Sequence, residues 1–229
     1  MTITLYELAG ADRSLRFAPH CWKSKLALAH KKLSFKTEPV WFTEKEKFAM
    51  SEQPLLPIIT DGDKVVSDSW AIAEYLEATY PDGPSLFAND EAKVKAEAFH
   101  QWLSTALSKH VPGILLLDLY NVLADQDKDY FRTTREAKIG KSLEEFAANP
   151  EKHIQGLQAE LSSVRELLAA QNYLGGENPD YRDICLLGTF MWIATLVTTQ
   201  FLEKDDVVYA WYQRVLSDYS EVIPKSVVA

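Results

Sequence analysis

The sequence predicts two domains of different class, an α/β domain followed by an all-helical domain. Before residue 80, short runs of β-type residues alternate with amphipathic helical stretches, whereas beyond Asn89 the apolar residues recur at helical spacing. Between these regions lies the only dense cluster of turn-forming residues in the chain, Pro81-Asp-Gly-Pro84. We therefore predict a first domain at residues 1–80, a linker at 81–89 and a second domain at 90–229.

The first domain opens with a strand, a helix and a second strand. Thr2 to Tyr6 alternates in the manner of a half-buried strand. A polar loop follows, and Phe17-Ala18-Pro19 then opens a helix with proline in its first turn, where the missing N–H costs nothing. Leu33 to Val40 is predicted to be the second strand, and the charged connection at residues 41–53 is expected to be partly helical.

A hairpin and a helix complete the first domain. Asp61-Gly62 joins two short β-type runs and indicates a two-residue hairpin turn, since both residues tolerate positive φ. Asp68 or Ser69 then caps a helix that closes at Tyr80-Pro81, because the residue before proline is disfavoured in the α region. The resulting order of strands and helices is the thioredoxin-like pattern.

The second domain is predicted to be built from helices alone. Its central helix begins with Asp180 and Asp183, which resemble a capping box with aspartates in place of Ser/Thr and Glu. The run that follows, Ile184 to Val197, is apolar on all sides and is therefore predicted to be buried rather than membrane-spanning. The other predicted helices are Asp90 to Leu117 with a break at Pro112-Gly113, Asp129 to Ala148, Pro150 to Gln171, and Asp205 to Leu216.

The composition excludes several classes of function. The net charge is −9 without a basic stripe, so neither nucleic acid nor an anionic membrane is an expected partner. Two cysteines in a chain of this size do not form a disulfide framework and fit a reducing compartment. No charged-then-apolar leader follows Met1, and no apolar run reaches about 18 residues. We therefore expect no signal peptide, no membrane span and a cytoplasmic location.

Several stretches resemble the glutathione transferases, in the order in which that family carries them. Leu56-Pro57 followed by Asp68-Ser69 resembles the family's glutathione-binding half, and the capping box at Asp180 resembles the one that opens its buried second-domain helix. More narrowly, the chain looks like the bacterial and fungal etherase-related branch, which includes the lignin β-etherases. That narrower likeness rests on PHCWK from Pro19, DSWAIAEYL from Asp68, DYFRTTRE from Asp129 and NYLGG from Asn172.

The resemblance implies where glutathione, the expected co-substrate, would bind without a metal or other cofactor. A proline at the position of Pro57 is cis in the family and turns the backbone of Leu56 outward to pair with the cysteinyl group. Asp68 and Ser69 would hold the γ-glutamyl end, and Lys45 would pair with the glycyl carboxylate. The chemistry of Ser69 agrees, because a hydroxyl and an N–H at a helix N-terminus favour a carboxylate.

The residue that activates the thiol is open. In many relatives a hydrogen-bond donor immediately precedes the proline at the position of Pro19, and here that residue is Ala18. His20, in the first helical turn, and Ser14, in the preceding loop, are the catalytic candidates, and the resemblance also implies Tyr6 as an alternative, since some classes keep a catalytic tyrosine at the end of the first strand. Cys21 could instead form a mixed disulfide with glutathione, and the helix N-terminus itself lowers the pKa of a nearby thiol.

An apolar pocket for an electrophile is expected beside the thiol. Trp102, Ala106 and His110 are spaced by four residues, which predicts that they share one helix face. Small Ala106 between two large side chains would leave room for a ligand. The resemblance implies that the pocket residues are Tyr6, Phe17, Trp102, Ala106, His110 and Tyr120.

These features predict a glutathione transferase whose bound thiolate attacks small hydrophobic electrophiles, by conjugation or ether cleavage. One alternative is a non-catalytic glutathione- or ligand-binding relative, for which Ala18 is the main reason. Another is a thiol–disulfide (deglutathionylating) enzyme that uses Cys21. A two-fold homodimer is expected from the resemblance, because family members pair the first domain of one subunit with the second domain of the other.

Overall fold

The computed structural model describes residues 2–51 and 53–228, which contain a four-stranded sheet and eleven α-helices. The strands are β1 (Ile3–Leu8), β2 (Phe35–Val40), β3 (Ile58–Asp61) and β4 (Lys64–Ser67). The helices are α1 (Pro19–His30), α2 (Ser69–Thr79), α3 (Asp90–Thr105), α4 (Val111–Val122), α5 (Asp125–Ile139), α6 (Leu143–Phe146), α7 (Pro150–Glu160), α8 (Ser162–Ala170), α9 (Tyr181–Ala194), α10 (Val207–Asp218) and α11 (Lys225–Val228). Two 3₁₀ helices are also present, at Lys45–Phe48 and Leu107–Lys109.

The sheet and helices α1 and α2 form the α/β half of the fold. The strand order is β2-β1-β3-β4, with β1 parallel to β2 and β3 antiparallel to both of its neighbours. Successive residues of β1 point to opposite sides of the sheet. Leu5 therefore lies in the main core, whereas Tyr6 packs with Val40 and Ile58 on the other side. The remaining helices build the second half, so the predicted thioredoxin-like domain followed by a helical domain is confirmed.

Helices α1 and α9 pack against each other and join the two halves. All residues from Cys21 to Leu28 of α1 are buried. A glycine on α9, Gly188, permits the close approach of the two helices. A Cβ at that position would lie 2.8 Å from Cγ of Lys23 and 3.1 Å from the carbonyl oxygen of Pro19. The stem of Lys23 therefore lies in the seam between α1 and α9.

The start of α9 is fixed by Asp183, a buried carboxylate that accepts four hydrogen bonds. Its donors are the N–H groups of Leu174 (2.8 Å), Gly175 (3.0 Å) and Asp180 (3.0 Å) and the indole N–H of Trp211 (2.7 Å). The predicted capping box of Asp180 and Asp183 is present. Because its donors come from the preceding loop and from α10 as well, Asp183 ties three segments together.

Several of the predicted helices in the second half are divided. Helix α3 ends at Thr105, before the break expected at Pro112-Gly113, and Pro112 instead lies in the first turn of α4, where proline is favourable. Gly140, at φ 79°, ends α5, so residues 129–148 do not form one helix. At Leu161 the run predicted for 150–171 divides into α7 and α8. None of the helices described is both long and apolar enough to cross a membrane.

The connection between the two halves runs from the end of α2 to the start of α3 without a helix or strand of its own. It lies against the first half, since Nε2 of His30 is 3.0 Å from the carbonyl oxygen of Ser85 and Glu77 accepts the N–H of Leu86 at 2.9 Å. The boundary at 81–89 stays a prediction, because the packing of α1 against α9 leaves no gap to mark it.

Candidate functional site

The Leu56–Pro57 peptide bond is cis, and it lies beside the start of α2. The N–H of Asp68 donates to the carbonyl oxygen of Pro57 at 3.2 Å. Asp68 has a positive φ of 78° and caps α2, its carboxylate accepting from the N–H groups of Trp70 (2.8 Å) and Ala71 (3.1 Å). The cis peptide and the N-terminus of α2 are therefore held next to each other.

Ser69, the first residue of α2, is fully buried and is held from two sides. Its carbonyl oxygen accepts from the hydroxyl of Tyr181, the first residue of α9, at 2.7 Å. Its own hydroxyl lies 3.4 Å from Nδ1 of His20 on α1. His20 thus lies against the hydroxyl that is predicted to meet a ligand carboxylate.

Two histidines and a tryptophan lie together next to Ser69. The rings of His20 and His100 meet edge to face at 6.3 Å, and His100 stacks on Trp70 at 5.7 Å. Nε2 of His100 is buried without a hydrogen-bond partner among the residues described. Although part of His20 is exposed, desolvation of its ring lowers its pKa, and desolvation lowers the pKa of His100 to about 4. Both imidazoles are therefore neutral at pH 7.

Lys23, one helical turn after His20, brings a positive charge to the same place. The residue is 3% exposed, and burial lowers its pKa while the charges of Cys185 and Asp68 act in the opposite direction. The charge of Lys23 in turn lowers the pKa of both His20 and His100. In residues 2–51 and 53–228, no group of three or more His, Cys, Asp or Glu side chains could hold a metal ion.

Lys45, the predicted partner of the glycyl carboxylate, is an exposed residue at the start of a 3₁₀ helix. Its ammonium donates to the carbonyl oxygen of Pro54 at 2.9 Å and lies 5.2 Å from the centre of the Phe48 ring. Pro54 is two residues before Leu56. The structure therefore holds Lys45 beside the segment that carries the cis peptide.

The candidates for thiol activation lie in three different environments. Ala18 is the N-cap of α1 and provides no side-chain acceptor for its first N–H groups. Ser14 lines a separate cavity of about 260 Å³, and the described residues that line it include none of the predicted glutathione-binding residues. Cys21 is buried, and burial raises its pKa to about 12. Of the candidates, only His20 contacts Ser69, and the roles of His20 and Ser14 in catalysis stay predictions.

The predicted electrophile-pocket residues differ in the surface that they offer. Phe17 is 1% exposed and Ala106 is 5% exposed, so both are core residues and present almost no surface to a ligand. Tyr6, Trp102 and Tyr120 are half-buried and retain surface. Whether these three line a pocket stays a prediction.

His110 does not share a helix face with Trp102 and Ala106, and that expectation is wrong. Helix α3 ends before Ala106, and the 3₁₀ turn Leu107–Lys109 precedes α4, so the four-residue spacing does not correspond to one face. The His110 ring packs instead on Gly156 of α7, where an added Cβ would lie 2.2 Å from it. His110 thus contributes to the packing of the helical half, and a place in a ligand pocket has no support from its contacts.

Three residues of the site were missed by the sequence reasoning: Lys23, His100 and Tyr181. They come from α1, α3 and α9, and only tertiary packing brings them to the start of α2. No sequence pattern singled them out, because a lysine on a helix that also carries Lys25 is normally expected to be exposed.

Family models match both halves of the chain. The model described as "Glutathione S-transferase, N-terminal domain" matches residues 14–85, and the one described as "Glutathione S-transferase, C-terminal domain" matches residues 96–220. Among curated proteins, the glutathione S-transferase-like protein ustS of Aspergillus flavus is 30% identical over 136 residues, which are 55% of this chain and 49% of that protein. The match therefore spans about half the length of that relative.

Two solved structures share the fold over almost the whole chain. Glutathione transferase GSTFuA3 from Phanerochaete chrysosporium has a TM-score of 0.85 at 26% identity, covering 96% of this chain and 97% of that chain. A glutathione S-transferase of Ceriporiopsis subvermispora, solved in complex with glutathione, has a TM-score of 0.82 at 22% identity, covering 96% and 99%. Because the family models match most of the sequence, the chain belongs to the glutathione S-transferase family.

Proposed function

We propose that the protein is a glutathione transferase in which bound glutathione thiolate attacks small hydrophobic electrophiles. The observation that carries the proposal is the N-terminus of α2, where Asp68 caps the helix, Ser69 begins it, and the N–H of Asp68 donates to the carbonyl oxygen of Pro57 at 3.2 Å. The neighbour from Ceriporiopsis subvermispora was solved with glutathione bound, which supports the same ligand here.

Each part of glutathione has a candidate partner in this arrangement. The backbone of Leu56 would pair with the cysteinyl residue. The N–H and hydroxyl of Ser69 would receive the γ-glutamyl carboxylate, which the dipole of α2 also favours. Lys45 would pair with the glycyl carboxylate, and because Lys45 is exposed this ion pair contributes less than about 1 kcal/mol. The start of α2 therefore supplies most of the affinity.

The N-terminus of α1 would stabilise the thiolate of bound glutathione. Ala18 leaves the first N–H groups of α1 without a side-chain acceptor, so they remain available to a negative charge. His20 lies in the same turn, is neutral at pH 7, and can donate an N–H once the ligand displaces it from Ser69. The helix N-terminus and His20 would then share the task of the hydroxyl that Ala18 lacks, with Ser14 as the alternative donor.

Glutathione binding is tested by calorimetry with reduced glutathione on the wild type, Ser69→Ala and a matched control, Ser67→Ala. Ser67 ends β4, and among the described residues its hydroxyl hydrogen-bonds to that of Ser51, at 2.6 Å. Ser69→Ala loses a charge-assisted hydrogen bond and should bind about 10- to 100-fold more weakly, whereas Ser67→Ala should bind as the wild type does. Absence of heat and of thermal stabilisation at millimolar glutathione would contradict the proposed function.

A non-catalytic glutathione carrier is the second candidate, and Ala18 is the observation that favours it. The thiol–disulfide alternative gains nothing from Cys21, since that thiol is buried with a raised pKa. An assay with an aryl halide, a β-aryl ether and a glutathionyl mixed disulfide separates the candidates. Turnover of the ether would also support membership of the etherase-related branch, and binding without turnover of any of the three would support the carrier.

We also propose a two-fold homodimer in a cytoplasmic location. The dimer is inferred from the assembly of family members, and two free cysteines fit a reducing compartment. Light scattering should give twice the chain mass of 25.9 kDa. The mass of one chain across micromolar concentrations would contradict the dimer.

A further inference from the structure

Three buried lysines lie on α1 or directly after it, and two of them form ion pairs. Lys25 is 7% exposed and lies 2.8 Å from Glu7, and Lys31 is 2% exposed and lies 3.2 Å from Glu77. Lys23 is 3% exposed, yet its ammonium makes no ion pair or hydrogen bond within the part of the chain that the structure describes.

The groups that surround Lys23 do not neutralise it. His20 and His100 are neutral at pH 7, and burial raises the pKa of Cys185 to about 12 and that of Tyr181 well above its usual value. Asp68 is the one anion among the described groups that act on Lys23. Its carboxylate is already engaged as the cap of α2. The start of α2 therefore carries a positive charge without a dedicated partner.

An unpaired ammonium in a buried place is unfavourable for folding, since burial penalises the charged form. Natural sequences keep strongly perturbed charges chiefly where function needs them. Here the stem of Lys23 has a prepared place against Gly188, whose missing Cβ leaves the room. A second unsatisfied group lies nearby, because Nε2 of His100 has no partner and the His100 ring is 6.3 Å from that of His20. Both groups are satisfied if an anion binds between α1, α2 and α3.

We propose that Lys23 supplies the counter-charge for the α-carboxylate of the γ-glutamyl residue of glutathione. The inference rests on the proposed function and assigns a specificity-determining residue to the same site. The carboxylate displaces His20 from Ser69, accepts from the N–H and hydroxyl at the start of α2, and lies within reach of the Lys23 ammonium. Lys23 thereby distinguishes ligands that carry a carboxylate at this position from those that do not.

The experiment compares the wild type with Lys23→Met, Lys23→Arg and the control Lys31→Met. Each is titrated with glutathione, with γ-aminobutyryl-cysteinyl-glycine, which lacks the α-carboxylate, and with glutathione amidated at glycine, which lacks the other carboxylate. Lys23→Met should weaken glutathione binding about 10- to 100-fold, the loss expected for one charge-assisted contact. It should leave the affinity for γ-aminobutyryl-cysteinyl-glycine unchanged, and Lys23→Arg should bind glutathione nearly as the wild type does.

The melting temperature of the ligand-free protein supplies an independent readout, because Lys23→Met should raise it while weakening glutathione binding. Without ligand, Lys23→Met should raise the melting temperature, because an unpaired charge is removed, whereas Lys31→Met should lower it by breaking the contact with Glu77. Lys31→Met should keep the wild-type affinity for glutathione. If Lys23→Met does not fold, Lys23→Gln takes its place in the same titrations.

Two outcomes would overturn the inference. One is equal affinity of the wild type and the Lys23 variant for glutathione. The other is an equal loss of affinity for glutathione and for γ-aminobutyryl-cysteinyl-glycine, which would place the effect of Lys23 elsewhere. Failure of the wild type to bind glutathione at all would instead contradict the proposed function, so the two failures are distinguishable.

Discussion

Asp183 and Lys23 are both buried charged residues, yet their surroundings are opposite. The carboxylate of Asp183 accepts four hydrogen bonds from the preceding loop, its own capping box and α10. The ammonium of Lys23 has no partner in the described residues and acts on two neutral histidines and one capping aspartate. The site around Asp183, called here the complete centre, finds all its partners in the protein. The site around Lys23, His20, His100 and Ser69, called the incomplete centre, lacks an anion. The hydrogen bonds of Asp183 are complete without a ligand, although burial raises the pKa of its carboxyl to about 6, whereas a buried charge without a partner is a candidate ligand site.

Asp183→Ala should produce the largest change in stability, and it tests the complete centre. It leaves four donors without an acceptor, three of them in buried residues, and should lower the free energy of unfolding by about 3–5 kcal/mol, measured by urea denaturation. Asp183→Asn keeps the shape and one acceptor oxygen, so it should lose less. A loss below about 1 kcal/mol in the alanine variant would show that the α9 start does not depend on this carboxylate.

Tyr181→Phe tests a hydrogen bond between the two centres, which the Tyr181 hydroxyl donates to the carbonyl oxygen of Ser69. It leaves the buried carbonyl oxygen of Ser69 without its donor and should cost about 1–3 kcal/mol of stability. Glutathione binding should weaken as well, because Ser69 loses its support. The control is Tyr212→Phe, since Tyr212 is 6% exposed and its hydroxyl bonds to no other described residue. Equal effects of the two variants on glutathione affinity would rule out a positioning role for Tyr181.

Ala18→Ser adds a polar group at the edge of the incomplete centre. At the N-cap of α1 the new hydroxyl can accept from an N–H of the first turn, which should stabilise the protein by about 0.5–1 kcal/mol. The same hydroxyl can donate to bound thiolate, so the pKa of bound glutathione should fall and turnover at neutral pH should rise. Thiolate absorbance against pH measures the first effect. An unchanged thiol pKa, with a large loss in His20→Ala or Ser14→Ala, would show that another group is the donor.

Acidification should lower the stability of the protein through the histidines of the incomplete centre. This is the smallest effect among the four predictions. Desolvation holds the pKa of His100 at about 4, below the ordinary 6.5, so the unfolded chain binds more protons between these values. The stability that neutral His100 contributes is present above pH 6.5 and is lost as the pH falls towards 4. His100→Gln cannot take up that proton, so its urea midpoint should fall less than that of the wild type between pH 7 and 4. Parallel curves would contradict a desolvated His100.

Local rules were enough to predict the capping box of the complete centre, but not the donors that Leu174 and Trp211 supply to it. The spacing of Asp180 and Asp183 before an apolar run predicted a capped, buried helix, because a helix start is decided by residues three apart. The hairpin was predicted from turn chemistry in the same way, although its turn lies at Gly62-Asp63 and not at Asp61-Gly62, because Asp61 ends β3 and pairs with Lys64. In both cases the residues that decide the structure are neighbours in the chain.

The incomplete centre could be predicted only in part. Leu56, Pro57, Asp68 and Ser69 were expected at the site from the family resemblance, whereas Lys23, His100 and Tyr181 were not. Their proximity depends on how α1, α3 and α9 pack, and helical periodicity does not determine that packing. The wrong face assigned to His110 has a related cause, since one 3₁₀ turn at Leu107–Lys109 changed the phase of all residues after it.

The close packing at Gly188 limits whether the two halves of the protein can be produced separately. Its missing Cβ allows α9 to approach α1 closely at Pro19 and Lys23, and the residues of α1 from Cys21 to Leu28 are all buried. Residues 1–80 produced alone would expose that helix face to water and should aggregate or bind to other apolar surfaces. The halves are therefore not independent modules, and transplanting the first half onto another helical partner requires a glycine in register with Gly188. Gly188 lies in the half that holds none of the predicted glutathione-binding residues. Its missing methyl group nevertheless limits which helical halves the first half can be joined to.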